Sequence, residues 1–192
     1  MKSLFMLMPV GLLFAPCMNA SGQEDGTAPE VTLDPKVGNS MPSHVVDFVA
    51  GARQSGCGCP SVMMSNGHTR GVEIWSRSAG DVAFRLAGVL ERKLPDDKKA
   101  RAFLILFGTS GKDGLKAQAD KHGLEKFHVA VPRRSTKRIS QIVDRSNDSS
   151  LIIFLIDRKQ IKLIRRFKPG EVNKEEMRAI VEETEAFLVG QE

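Results

Sequence analysis

Cys57 and Cys59 stand on either side of a single glycine in the stretch Ser55-Gly56-Cys57-Gly58-Cys59-Pro60. Two thiols this close can exchange with a disulfide or share a soft metal ion. An extended chain puts alternate Cα atoms near the upper end of the disulfide range of about 4.4–6.8 Å, so a direct link requires a tight turn. Gly58 permits one, and the resulting small ring is expected to be strained, oxidising and quick to exchange. The metal reading adds Met63, Met64 and His68, because thiolate, thioether and imidazole together suit Cu(I). Two cysteines and one histidine fall short of the four ligands of a structural zinc site. The plain alternatives are a static link, or spare thiols beside methionines that only pack.

Other side chains carry less. His44, His122 and His128 have no ligand pattern around them and read as surface or hydrogen-bonded groups. Trp75 falls where a sheet and helix would bury it. Glu73 and Asp81 could buffer protons near a redox loop, although Asp81 also fits a helix cap. The basic run at 132–138 and the later Lys162, Arg165, Arg166 and Lys168 read as solvated charge. A single-strand nucleic-acid site interleaves aromatics with its cations, and this chain has no Tyr.

The chain has 192 residues, 41% of them hydrophobic and 27% charged, with a formal net charge of +5. Those proportions describe one folded domain with a modest tail, and exclude collagen-like, multi-span and wholly disordered chains. Residues 1–20 read as a signal peptide: Lys2 gives a positive start, 4–15 an apolar stretch, and Met18-Asn19-Ala20 a cleavage site. Lipid anchoring at Cys17 is disfavoured by Pro16 before it. The mature protein is therefore expected in the periplasm or secreted, with no transmembrane span, and Cys57 and Cys59 are expected to meet an oxidising environment.

Residues 21–44 mix Gly, Pro, Ser and acids and read as a flexible leader. Residues 45–70 form a cysteine-bearing loop region, and 71–192 the folded domain. Within it the spacing predicts a strand over 71–76, then a helix from a capping box at Ser78–Asp81 to before Pro95. A central strand over 102–107 follows, and a helix from Ser110 ending at Gly123. A half-buried strand over 127–131, a weak helix over 135–144, and a hairpin of 151–156 with 161–167 complete the middle. The last helix starts at Asn173, carries Met177, Ile180, Val181, Thr184, Phe187 and Leu188 on one stripe, and ends at Gly190. Alternating strands and helices with a late hairpin imply a mixed sheet covered on both faces.

The strand at 72–76, the following helix, the apolar strand at 103–107 and the terminal hairpin plus helix resemble the thioredoxin superfamily. The resemblance implies an α/β fold of three layers, α/β/α, with a mixed central sheet and a C-terminal β-hairpin and helix. Thiol-disulfide exchange, with protein thiols or disulfides as partners, is the activity it implies. Two departures accompany it. Family enzymes carry Cys-x-x-Cys at the start of the first helix, whereas this chain has Arg77-Ser78-Ala79-Gly80. They also place a proline, usually cis, before the strand that corresponds to 151–156, whereas this chain has Asp148-Ser149-Ser150. Cys57 and Cys59 are thus the candidate catalytic pair, with no cofactor. A non-catalytic thioredoxin-fold module binding copper or a protein partner is the alternative, its copper ligands Cys57, Cys59, Met63, Met64 and His68.

Overall fold

The two most apolar stretches of the chain become interior strands, because a run without polar alternation is stable only where both sheet faces are covered. These are β4 (Ala100–Leu106) and β6 (Leu151–Asp157), and between them lies β3 (Arg70–Ser76). The computed structural model describes residues 35–65, 70–77, 80–96, 100–107, 111–133 and 150–190. Four further strands complete the sheet: β1 (Val46–Gly51), β2 (Cys57–Gly58), β5 (Phe127–Pro132) and β7 (Gln160–Phe167). Their order is β2-β1-β5-β4-β3-β6-β7. β3, β4 and β5 run parallel, while β1 pairs antiparallel with β5 and β6 antiparallel with β3.

Alternation along the strands splits the core into two layers. One face carries Val72, Ile74, Leu104, Leu106 and Ile153. Against it lie α2 (Asp81–Glu91), α3 (Lys112–Lys121) and α4 (Lys174–Val189). The other carries Trp75, Phe103, Ile105 and Phe154, against which α1 (Pro60–Ser65) packs through Met64. This is the mixed, doubly covered α/β sheet expected from the sequence.

The terminal helix forms as its end signals dictate. The Asn173 side chain accepts a hydrogen bond from the Glu176 backbone N–H at 2.8 Å, and Gly190 closes the helix in the left-handed region. The hairpin of β6 and β7 turns through Arg158 and Lys159, both with positive φ, a twist matched to the two strands. Glu91, at the end of α2, is buried and accepts from the Lys126 and Phe127 backbone N–H groups at 2.6 and 3.0 Å, so it fixes where β5 begins.

Three expectations require correction. The leader is not free over residues 35–44: Ser40 bridges Gln160, Gly38 and Met41 donate to the carbonyls of Ile161 and Lys159, and Met41 and His44 are buried. The unpaired backbone at the start of edge strand β7 supplies partners that composition alone does not reveal. The region 45–70 is not a bare loop, since it contributes β1, β2 and α1, and one compact unit runs Thr32–Glu192. Asp81 does not cap: Gly80 is the N-cap of α2, with no side-chain cap bond, and Asp81 is the first helical residue. The signal-peptide stretch, Ser78, Ser110, and the weak helix at 135–144 lie outside the described residues. Among the described residues no helix is long and apolar enough to cross a membrane.

Gly51 ends β1 at φ +77°, and a Cβ there would meet the Phe127 carbonyl oxygen at 1.9 Å. Gly51→Ala is therefore expected to cost about 2 kcal/mol or more. Gly114→Ala, on an open face of α3, is expected to stabilise by about 0.5–1 kcal/mol. Urea midpoints of the two variants against the parent check both signs.

Candidate functional site at the cysteine edge of the sheet

The cysteines are positioned by strand pairing. β1 lies against β5 with Val46 opposite Pro132 and Asp47 opposite Val131. The chain turns back after Gly51, and β2 pairs Cys57 with Asp47 and Gly58 with Val46. Cys57 is therefore held on the sheet edge at the end where the parallel strands finish. The chain then enters α1, whose first residue is Pro60, a position where its missing N–H and fixed φ are harmless. The Cys59 carbonyl accepts from Val62 and Met63 at 3.1 and 3.0 Å, so Cys59 sits at the mouth of this short helix.

Gly58 has a different reason from the one read in the sequence. It belongs to an extended strand, and a Cβ there would lie 2.8 Å from the Phe48 ring. The glycine admits the Phe48 side chain beneath the motif and forms no tight turn. Accordingly the two sulfurs are not joined to each other. Cys59 is a free thiol, while Cys57 is disulfide-bonded. Both residues are partly exposed.

Each sulfur has a distinct polar neighbour. The Arg133 guanidinium donates to Cys57 Sγ at 3.7 Å and lies 3.7 Å from the Asp47 carboxylate, which is on the residue cross-strand from Cys57. A fixed cation beside a sulfur favours its thiolate over its thiol. Cys59 Sγ lies 3.1 Å from Ser61 Oγ, which in turn is 3.4 Å from Ser43 Oγ. Of the proposed soft-metal set, Met64 is buried with its sulfur turned toward Gly71, and the Met63 sulfur lies toward Gly58. His68 lies outside the described residues. Among the described residues no group of three or more His, Cys, Asp or Glu converges on a point.

A polar cluster of Glu73, Trp75 and His44 lies on the face of the sheet against which α1 packs. Glu73, in mid-strand on β3, is fully buried and accepts from Trp75 Nε1 at 3.0 Å. His44 Nε2 stands 3.5 Å from the same carboxylate oxygen, close enough for attraction but not placed as a hydrogen bond. The other oxygen of Glu73 has no hydrogen-bond partner among the described residues. Burial pushes the Glu73 carboxyl up, opposed by His44 and by the Trp75 bond. The one sequence signal was an acid inside the apolar run of 72–75. Trp75 is buried, as expected, against Phe154, Phe107 and the His44 ring.

A carboxyl whose folded pKa is raised stabilises the fold at pH values below its ordinary range, and that contribution is lost as pH rises through the folded value. Glu73→Gln keeps an acceptor for Trp75 and removes the titration. The variant is expected to gain on the parent as pH rises from about 4 to 8, by about 1–3 kcal/mol at the top of the range. Denaturant unfolding at several pH values measures this, and a pH-independent difference contradicts it.

No family model and no curated protein matches the sequence. Solved structures do match. A putative protein disulfide isomerase from Bacteroides thetaiotaomicron aligns with TM-score 0.57 and 15% identity, covering 81% of this chain and 91% of its own. A putative thiol:disulfide interchange protein DsbE from Chlorobium tepidum aligns with TM-score 0.56 and 15% identity, covering 80% and 99%. A peroxiredoxin-like protein from Aquifex aeolicus gives 0.54 and 14%, covering 79% and 88%. At such identities the likeness speaks for architecture alone. With β3 leading into α2, an antiparallel β6–β7 hairpin and a closing helix, the chain has the thioredoxin-like fold.

Proposed function

We propose that this chain is an exported thiol-disulfide exchange protein that works through Cys57 and Cys59 and acts on protein thiols or disulfides. One observation carries the reading: Cys57, with the Arg133 guanidinium 3.7 Å from its sulfur, and the free thiol of Cys59 stand two residues apart on a partly exposed sheet edge, an arrangement in which one sulfur can resolve a mixed disulfide formed on the other. The export half of the reading rests on the character of residues 1–20.

In the reducing direction, the Cys57 thiolate, stabilised by Arg133, attacks a disulfide of the partner and forms a mixed disulfide, expelling one partner thiolate. Cys59 loses its proton and attacks Cys57 Sγ. The Cys57–Cys59 bond forms, the mixed disulfide breaks, and the second partner sulfur leaves as a thiolate. Two electrons pass from the Cys57/Cys59 pair to the partner, and a thiol reductant returns them. The reverse sequence oxidises a partner dithiol. Closing the pair requires the extended Cys57–Gly58 strand to leave its pairing with β1, which involves only two residue pairs. This use of the edge takes over from the helix α2 start, where Gly80 is the cap and no cysteine occurs in the sequence from Arg77 to Asp81.

Cys57→Ser and Cys59→Ser are each expected to reduce exchange with a disulfide-bonded test peptide at least about tenfold, with Cys57→Ser abolishing the mixed disulfide and Cys59→Ser trapping it. Peptide exchange rates and non-reducing gels read the two effects. Wild-type rates in both variants would refute the proposal.

A further inference from the structure

On the helical face that carries α2, α3 and α4, an open cavity of about 610 Å³ lies between α2, the turn after α3 and the start of α4. Its lining includes Arg85, Arg92, Lys121 and Lys174 together with His122, and no lining residue is acidic. Asp81, just outside, lies 3.2 Å from Arg85 and 3.6 Å from Lys121, and 3.3 Å from the His122 ring. One carboxylate cannot neutralise two permanent cations, and Arg92 and Lys174 have no acidic partner among the described residues. A concave surface with charges of one sign concentrates their field and draws in the opposite sign.

The walls are built, not incidental. A Cβ on Gly88 would meet the His122 carbonyl oxygen at 3.0 Å, so the glycine lets α2 and the turn after α3 pack this closely without a shift. The His122 ring stacks on Phe84, 6.0 Å between centroids, which fixes it at the cavity margin. Between the cations, Val89, Val172 and Met177 present partly buried apolar surface that continues the core.

We propose that this cavity binds a small organic dianion, a short dicarboxylate or its equivalent. Arg92 and Lys174 engage its charged ends, and Val89, Val172 and Met177 contact the hydrocarbon between them. Arginine supplies planar paired donors and lysine a compact charge, a set suited to carboxylates, and cations with apolar walls are the usual make-up of a small-molecule site. The site involves neither cysteine and stands apart from the exchange reading.

The test is calorimetric titration of the full chain with succinate, and separately with sulfate, at ionic strength held constant with sodium chloride. Succinate is expected to bind saturably, with Kd on the order of millimolar or below, and more tightly than sulfate, which has the charge without the hydrocarbon. The pair Arg92→Ala and Lys174→Ala, both on exposed side chains, is expected to weaken succinate at least tenfold, while Lys36→Ala with Lys162→Ala leaves it unchanged. If the first pair does not fold, Lys174→Gln alone makes the comparison. No saturable succinate binding, sulfate binding as tightly, or equal weakening in the Lys36 and Lys162 control overturns the proposal.

Discussion

The antiparallel pairing of β1 with β5 is the constraint on which the candidate site depends. Register fixes it: Val46 lies opposite Pro132 and Gly51 opposite His128, so the beginning of β1 is level with the end of β5. β3 and β4 finish at that end too, with Ser76 opposite Leu106. β2 copies the level of Asp47 and places Cys57 there. Open α/β sheets bind ligands at the carboxyl ends of their parallel strands, and the cysteines reach that end from the edge instead of from a crossover helix. Four strand spacings of about 4.8 Å separate β2 from β3. At that distance, roughly 19 Å, the dipole of α2 has no grip on the sulfurs, and Arg133 is the local charge that does.

Much of this fold was legible because its strongest elements announce themselves locally. The apolar runs at 102–107 and 151–156 leave a strand no exposed face, and Asn173 with Gly190 brackets the last helix to the residue. Less was legible where partners are distant in sequence. Nothing near Met41 or Ser40 indicates that they meet Lys159 and Gln160, and the pairing of Asp47 with Cys57 requires the turn at Gly51 to be known first. Gly58 shows the same gap: its permissiveness suggested a turn, while the space it leaves is filled by Phe48, ten residues back. The cysteines themselves were visible, and Arg133 beside Cys57 was not, because it follows the end of β5, β1's partner strand, 76 residues along the chain.

Two layers of polar chemistry flank this sheet, with different physical status. Glu73 and His44 lie in the core beside Trp75, where desolvation is the largest influence on the Glu73 carboxyl. The α2–α4 cavity is open and cationic, and Asp81 tempers its charge without cancelling it. The first kind of site ties the segment before β1 to the centre of the sheet, and the second leaves charge available to a visitor. Neither includes Cys57 or Cys59.

The redox pairing of the two sulfurs is the claim on which the functional account stands, and peptide-level alkylation mass spectrometry reaches it most directly. The full chain is equilibrated in thiol-disulfide buffers of stepped potential, quenched with one alkylating reagent, reduced, and labelled with a second. The account requires the peptide that contains Cys57 and Cys59 to pass, at one midpoint, from two labels of the second kind to two of the first. If Cys59 takes the first label at every potential while Cys57 changes alone, the sulfurs do not form an exchanging pair.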